Sequence, residues 1–370
     1  MKAKIQGNYV VLGPEAVVAF YQSGYIGRPK DGALYLRFVE AAYLLYRNKI
    51  EVFKDKRQLD FDSFLKFAAL SEDFFELKYI VYKDLKERGY YIQSAATDFR
   101  VYPRGGSPGK TPAKCFVYVQ SERIDLPFSA LIQNLNNAQN VHKEFILAVV
   151  DEESDITFFE IKRPDAKNSF YGKMSYSVPD FKSDESIESS PPLFPSLPVQ
   201  AVLQKARVVI SDGVASKILY QKAFFGKMLD EERLQLSLVE ALYLLKQNVI
   251  EISDLESKMM SEDGFIQHAI LIEPDFMKKY VIYHDLKERN YVPKTGFKFG
   301  THFRVYQKVE SLDKIPHSEF LLHVISSDHP FKMPMTSGAI RLANSVHKRM
   351  IYAADTGRKI EYIEFERIKM

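Results

Sequence analysis

Cysteine is almost missing from this 370-residue chain. The lone Cys115 cannot form an internal disulfide, and neither a cysteine framework nor a cysteine-based zinc site can be built from one thiol. That scarcity fits a reducing cytosolic compartment. Long apolar runs are absent too: none approaches the 18 or so residues of a membrane span, and Met1-Lys-Ala-Lys-Ile-Gln-Gly7 lacks the apolar core of a signal peptide. Net charge is small. Fifty-one Lys and Arg oppose 48 Asp and Glu, for +3 overall, so no global attraction to a polyanion follows; a basic patch can still hide in such a sum. A phosphate loop is also missing, because Gly296-Phe-Lys-Phe-Gly300 lacks the Gly-Lys-Ser/Thr ending and precedes a strand rather than a helix. His317, His323 and His329 recur every six residues, but no carboxylates accompany them at ligand spacing, and no metal or other cofactor is expected.

The chain does contain two versions of one sequence. Val39-Glu-Ala-Ala-Tyr-Leu-Leu45 recurs as Val239-Glu-Ala-Leu-Tyr-Leu-Leu245, and Tyr79-Ile-Val-Tyr-Lys-Asp-Leu-Lys-Glu-Arg-Gly-Tyr90 as Tyr280-Val-Ile-Tyr-His-Asp-Leu-Lys-Glu-Arg-Asn-Tyr291. Phe99-Arg-Val-Tyr102 returns as Phe303-Arg-Val-Tyr306, and Val141-His-Lys143 as Val346-His-Lys348. The offset drifts from 200 to 205, as an old duplication with small loop insertions leaves it. Residues 1–163 form the first repeat, 164–200 a linker with a polar, acidic, proline-bearing centre, and 201–370 the second repeat. Each repeat is long enough to bury its own core.

Within each repeat the pattern predicts an α+β unit, a helical lobe followed by a mixed sheet lobe with one packed helix. In the second copy the lobes span about 201–292 and 293–370. Leu236, Val239, Glu240, Tyr243 and Leu244 follow helical spacing, and Asp275 to Arg289 carries a second amphipathic pattern ending at Asn290. Phe297, Phe299, Phe303 and Val305 alternate with polar residues as a half-buried strand does, and Phe320 to Ile325 is an apolar strand interrupted by His323. Thr336 or Ser337 can cap a helix to about Arg349, and strands Ile351 to Ala353 and Ile360 to Phe365 flank the turn Asp355-Thr-Gly357.

Tyr306, His317 and Lys348 fall on three successive elements of the second copy, and such elements usually pack side by side. Tyr306 alternates away from the apolar set of its strand, which leaves its hydroxyl free. Together the three supply a removable proton, a group titrating near neutrality and a fixed cation, a set suited to metal-free RNA cleavage. Singly, each has an ordinary reading as a packed ring, a turn residue or a solvated lysine. Taken together, the three gain weight from the first copy, which keeps Tyr102 and Lys143 but, aligned on the shared Phe of Pro112-Ala-Lys-Cys-Phe116 and Pro316-His-Ser-Glu-Phe320, places Ala113 where the histidine stands. Arg341 lies seven positions before Lys348, two helical turns, so both are expected on one helix face as a basic strip.

The stretch Tyr280 to Tyr306, followed by His317-Ser-Glu-Phe-Leu321 and Ala343-Asn-Ser-Val-His-Lys-Arg-Met350, resembles the archaeal tRNA-splicing endonucleases, and the duplication extends the resemblance over all but the linker. The form it resembles has two fused repeats, the first degenerate, acting as a homodimer that imitates a tetramer. The resemblance implies metal-free cleavage of precursor tRNA at bulge–helix–bulge structures, leaving a 2′,3′-cyclic phosphate and a 5′-hydroxyl. By motif it makes Tyr306 the general base, His317 the general acid and Lys348 the transition-state cation. It also matches Arg341 and Arg367 to a pair of arginines that sandwich a bulged base. Finally, it implies that the acidic turn Asp151, Glu152, Glu153 and Asp155 of the first repeat inserts into the opposite subunit; on composition alone that turn reads as solvated. The contrasting expectation is a non-catalytic RNA-binding or scaffold subunit, which has no need of a tyrosine, histidine and lysine together.

Overall fold

The structure, a computed structural model, describes residues 1–95, 97–164, 198–307 and 317–370. Nearly the whole 164–200 linker, and Pro316 before the histidine, lie outside the described residues. Two compact units emerge: Met1–Lys162 with Asp328–Arg341 and Phe365–Met370, and Arg163–Ser327 with Leu342–Glu364. Among the described residues no helix is long and apolar enough to cross a membrane.

The α+β class holds, but the lobe that opens each copy is not simply helical. In the first unit it carries a six-stranded sheet in the order Arg28–Lys30, Ala33–Leu36, Tyr9–Leu12, Lys2–Gln6, Glu51–Lys54, Arg57–Leu59. In the second unit it carries a five-stranded one, Lys227–Met228, Leu234–Leu236, Arg207–Ile210, Val199–Gln204, Ile250–Ser253. These strands are two to six residues long, so their period-2 signal is brief and the neighbouring helices dominate the sequence pattern. The helix of the repeated Val-Glu-Ala motif is capped inside its own turn. Ser237 accepts from the Glu240 amide, and Glu240 accepts from the Ser237 amide at 3.0 Å. Gly226 is obligatory beside it: its φ is +59°, and a Cβ there would lie 2.4 Å from the Gln235 carbonyl oxygen.

The sheet lobe of the second unit has strands Val292–Thr295, Phe303–Tyr306, Phe320–Ile325 and Arg349–Asp355, then the part of Ile360–Ile368 up to Glu364, in that spatial order. Phe320–Ile325 and Arg349–Asp355 are parallel, and the helix Met333–Ser345 makes the crossover that parallel strands require. Alternate residues Phe303, Val305, Phe320, Leu322, Val324, Ile351 and Ala353 enter one core with Tyr283 and Leu286 of the helix Phe276–Glu288. Arg304, Tyr306, Leu321 and Met350 therefore occupy the opposite face. As expected, His323 interrupts the Phe320–Ile325 strand; its ring stacks on Tyr352, with centroids 5.5 Å apart.

Two local expectations are corrected. Phe297–Phe299 is a 3-10 turn rather than the start of the strand, which begins at Phe303, and Phe297 is exposed. The helix expected to begin at Thr336 or Ser337 and run to about Arg349 spans Met333–Ser345, so Lys348 is not on it. His347 takes a left-handed φ of +54°, and the Lys348 amide donates back to the Ala343 carbonyl at 2.9 Å, closing the helix end. A glycine normally marks such a stop; a histidine hides it.

Candidate active site

Strand register brings the candidate residues together. Arg304 pairs across to Leu321, which pairs with Met350; Val305 pairs with Phe320, which pairs with Arg349. One step further, the Glu319 amide donates to the Val305 carbonyl at 3.2 Å and the Arg349 amide to the Glu319 carbonyl at 3.0 Å. Tyr306, Glu319 and Lys348 thus form a row across three chain segments, at a spacing of about 5 Å per strand. The Lys348 ammonium donates to the Ser318 carbonyl at 2.7 Å, which ties it to the residue after His317. Tyrosine, histidine and lysine share one end of the sheet.

Their environments differ. His317 is exposed, while Tyr306 and Lys348 are only 7% and 9% exposed. Tyr306 does lie off the core face, yet it is more enclosed than its strand position predicts; its hydroxyl makes no hydrogen bond with a described residue. Burial, and then the charge of Arg304, push the Lys348 ammonium below the ordinary lysine range, with Glu319 opposing them. Glu319 is half-buried, and burial raises its carboxyl pKa, although the Gln307 amide donates to it at 3.2 Å and Arg349 and Lys348 pull the other way.

Two charged residues of this cluster carry no sequence signal of their own. Glu319 is recognisable only from the register. Arg304 lies on the face of Tyr306, its guanidinium carbon 5.6 Å from the ring centroid. Arg341 and Arg367 are both exposed and make no ion pair with a described residue. They fall in the first unit's segments, Arg341 on a helix that ends before Lys348; the shared helix face expected of those two residues is therefore not present.

The first copy repeats the scaffold with different chemistry. His142 takes the same left-handed φ of +54° as His347, and the Lys143 amide bonds the Ala138 carbonyl at 2.9 Å. Its strand register, however, corrects the alignment by one residue. Val101 pairs with Cys115 where Val305 pairs with Phe320, and Glu144 pairs with Cys115 where Arg349 pairs with Phe320. Pro112, not Ala113, therefore matches His317, and Lys114 matches Glu319. The shared phenylalanine that suggested Ala113 is out of register. Proline, like alanine, has no side-chain proton to give. Tyr102 differs as well: its hydroxyl donates to Gln93 at 2.8 Å, and burial raises its pKa.

At the first copy's acidic turn, the Asp151 carboxylate accepts from the amides of Glu153 at 3.0 Å and Asp155 at 2.9 Å, and Glu152 is ion-paired with Arg123. Two of the four carboxylates are thus engaged within the turn's own surroundings.

Comparison with known proteins places this geometry. A family profile described as "tRNA intron endonuclease, catalytic C-terminal domain" matches residues 75–158 and again 276–362; one described as "tRNA intron endonuclease, N-terminal domain" matches 1–65 and 199–266. A tRNA-splicing endonuclease of Methanosarcina acetivorans is 50% identical over 370 residues, covering all of both chains. Those of Methanococcoides burtonii and Haloarcula marismortui are 48% and 33% identical; each alignment covers all of this chain, and 100% and 99% of the relative respectively. Both family domains occur twice, the row of Tyr306, Glu319 and Lys348 lies in the second catalytic match, and the chain belongs to the tRNA intron endonuclease family as an endonuclease enzyme.

Proposed function

We propose that this enzyme excises introns from precursor tRNA by cutting at bulge–helix–bulge structures without a metal ion. Residues 201–370 form the cutting copy and residues 1–163 a degenerate structural copy, joined by the linker at 164–200. The reaction is an internal transesterification. Tyr306, acting as the base through its phenolic oxygen, takes the proton of the 2′-hydroxyl, and the 2′-oxygen bonds to phosphorus. The bond from phosphorus to the 5′-oxygen breaks, and His317 delivers a proton to that departing oxygen. Lys348 stabilises the charge that accumulates on the phosphoryl oxygens between the two steps. The products carry a 2′,3′-cyclic phosphate and a 5′-hydroxyl, so atoms and protons balance with no co-reactant.

The observation that carries this reading is the row of Tyr306, Glu319 and Lys348 with the lysine held on the Ser318 carbonyl beside His317. Three side chains of this kind can cut many flexible RNA phosphates, so selection of the bulge has to come from shape. A two-fold homodimer provides it by fixing the separation of two cutting copies, which measures the helix between two bulges. Arg341 and Arg367 stack on an extruded base, and Asp151, Glu152, Glu153 and Asp155 contact the opposite subunit. The reaction takes place in the cytoplasm.

Incubating the protein with a bulge–helix–bulge RNA in EDTA, then analysing the product ends, tests the proposal. Expected are two cuts with cyclic phosphate ends, and none when the scissile nucleotide carries a 2′-deoxy sugar. Loss of activity in EDTA, or cleavage of the deoxy substrate, overturns the mechanism.

A further inference from the structure

The row of Tyr306, Glu319 and Lys348 has a neighbour that the three-residue mechanism does not use. Arg304 is two residues before Tyr306, so both side chains project from one face of the Phe303–Tyr306 strand. Its guanidinium carbon is 5.6 Å from the Tyr306 ring centroid. Its Nε is buried and has no hydrogen-bond partner among the described residues, with which the side chain also makes no ion pair. A buried guanidinium N–H left unpaired is costly, and native proteins keep such groups chiefly where something else completes them. Beside it stands Lys348, a second cation that Arg304 disfavours electrostatically, with the half-buried Glu319 as nearest compensation. A guanidinium with an unmet donor over Tyr306, in the neighbourhood of the Lys348 ammonium, forms a place for an anion.

The first copy sharpens the point. Its Arg100 occupies the same strand position but lies over the ring of Phe116, 5.6 Å from the centroid. In register, Phe116 corresponds to Leu321, so the second copy has no ring there and its arginine sits over the tyrosine instead. The arginine is present in both copies, yet only in the second does it lie over the tyrosine of the row.

We propose that Arg304 is a fourth catalytic residue, a second cation that donates to a non-bridging oxygen of the scissile phosphate opposite Lys348. The inference rests on the cleavage reading above. A planar guanidinium with two adjacent donors suits a phosphate whose equatorial oxygens gain charge as the 2′-oxygen attacks, and its attraction grows from ground state to transition state. The anion recognised is a phosphodiester. Its place next to Tyr306 also puts that phosphate within reach of the group that removes the 2′ proton.

The test uses the full-length protein and a bulge–helix–bulge RNA under single-turnover conditions. Arg304→Ala should slow cleavage by about 10²-fold, the range for loss of one transition-state donor, with little change in RNA affinity. Millimolar guanidinium should restore part of the rate, and Arg304→Lys should retain more activity than Arg304→Ala. A merely structural arginine predicts neither response. Should Arg304→Ala melt early, Arg304→Gln replaces it. A variant that cuts as fast as the parent, or one that folds normally, cuts slowly and responds neither to guanidinium nor to the lysine replacement, overturns the assignment. A parent protein that fails to cut this RNA overturns the cleavage reading itself, a separate outcome.

Discussion

The two copies of the chain differ at one half-buried position that touches both a buried carboxylate and the tyrosine of the site. Lys294 pairs with Arg304 in the second copy; the matching residue in the first is Gln93, paired with Arg100. Lys294 donates to the buried Glu240 at 3.0 Å and to the Gly226 carbonyl at 3.0 Å. Glu240 is fully buried, yet Lys294 and hydrogen bonds from Ser237 and Gly226 outweigh its desolvation and hold its pKa below the usual value. Glu40, its counterpart, lacks that cation. Burial dominates there and raises its pKa. Gln93 instead accepts the Tyr102 hydroxyl, so the exchange that removes this lysine from beside Glu40, leaving Arg28 and Lys86 as the cations acting on it, also occupies the tyrosine. In the second copy the lysine is drawn away to Glu240, and the Tyr306 hydroxyl meets no acceptor among the described residues. The two copies thus share a fold and differ in the partners of its tyrosine and its buried carboxylate.

The largest effects should come from the second copy's proposed proton-transfer groups. Replacing His317 by Ala or Tyr306 by Phe is expected to lower the single-turnover rate by roughly 10²–10⁴ with RNA affinity little changed, because these groups act mainly in the transition state. Quench-flow and filter binding separate the two quantities. Lost binding at an unchanged rate would remove both residues from the chemistry.

Next in size is the buried ion pair. Lys294→Gln leaves Glu240 without its cation and should cost about 3 kcal/mol, read as a fall in melting temperature. Since the folded pKa of Glu240 is depressed, its contribution is present above the unfolded value of 4.5 and is lost as pH falls through the lower folded value. Glu40 has the opposite sign. Its folded pKa is raised, so its contribution is present below 4.5 and is lost as pH rises through the folded value. Glu40→Gln should therefore be tolerated at neutral pH far better than Glu240→Gln. Equal destabilisation by the two would show that the carboxylates are held alike and dissolve the contrast.

How much of this was readable in the sequence depends on the range over which each signal acts. Local periodicity reveals the helix Phe276–Glu288 and the strand Phe320–Ile325, because each is long enough for several repeats of its own pattern. The two-to-six-residue strands before them have too few, and they vanish behind the adjacent helices. The end of the helix before Lys348 is concealed by His347, which adopts a conformation usually taken by glycine. Cross-strand register is beyond any local pattern. For that reason Tyr306, His317 and Lys348 can be named as a group from the duplication, whereas Glu319 and Arg304, and the match of His317 to Pro112, emerge only once strands are paired.

A smaller effect is expected at the first copy's acidic turn. Asp151 and Glu152 already have partners, the backbone and Arg123, while the carboxylates of Glu153 and Asp155 accept no hydrogen bond from a described residue. Exchanging all four for Asn or Gln should weaken the proposed dimer, and the parent's association should weaken as salt is added. Light scattering across a salt series reads this directly. A dimer indifferent to both changes would return the turn to an ordinary solvated hairpin tip.

The smallest expected effect is the most discriminating, because it asks whether the first copy participates at all. Tyr102→Phe and Lys143→Ala should leave the single-turnover rate unchanged. Pro112 stands where the proposed acid His317 stands in the second copy, and Tyr102 donates to Gln93. What Tyr102→Phe should cost is stability, about 1 kcal/mol for a lost hydrogen bond that leaves the Gln93 oxygen without its donor. A thermal melt would register that shift while the cleavage assay does not move. If Tyr102→Phe instead slows cleavage as severely as Tyr306→Phe, the first copy takes part in the reaction, and the separation of a cutting copy from a structural one fails.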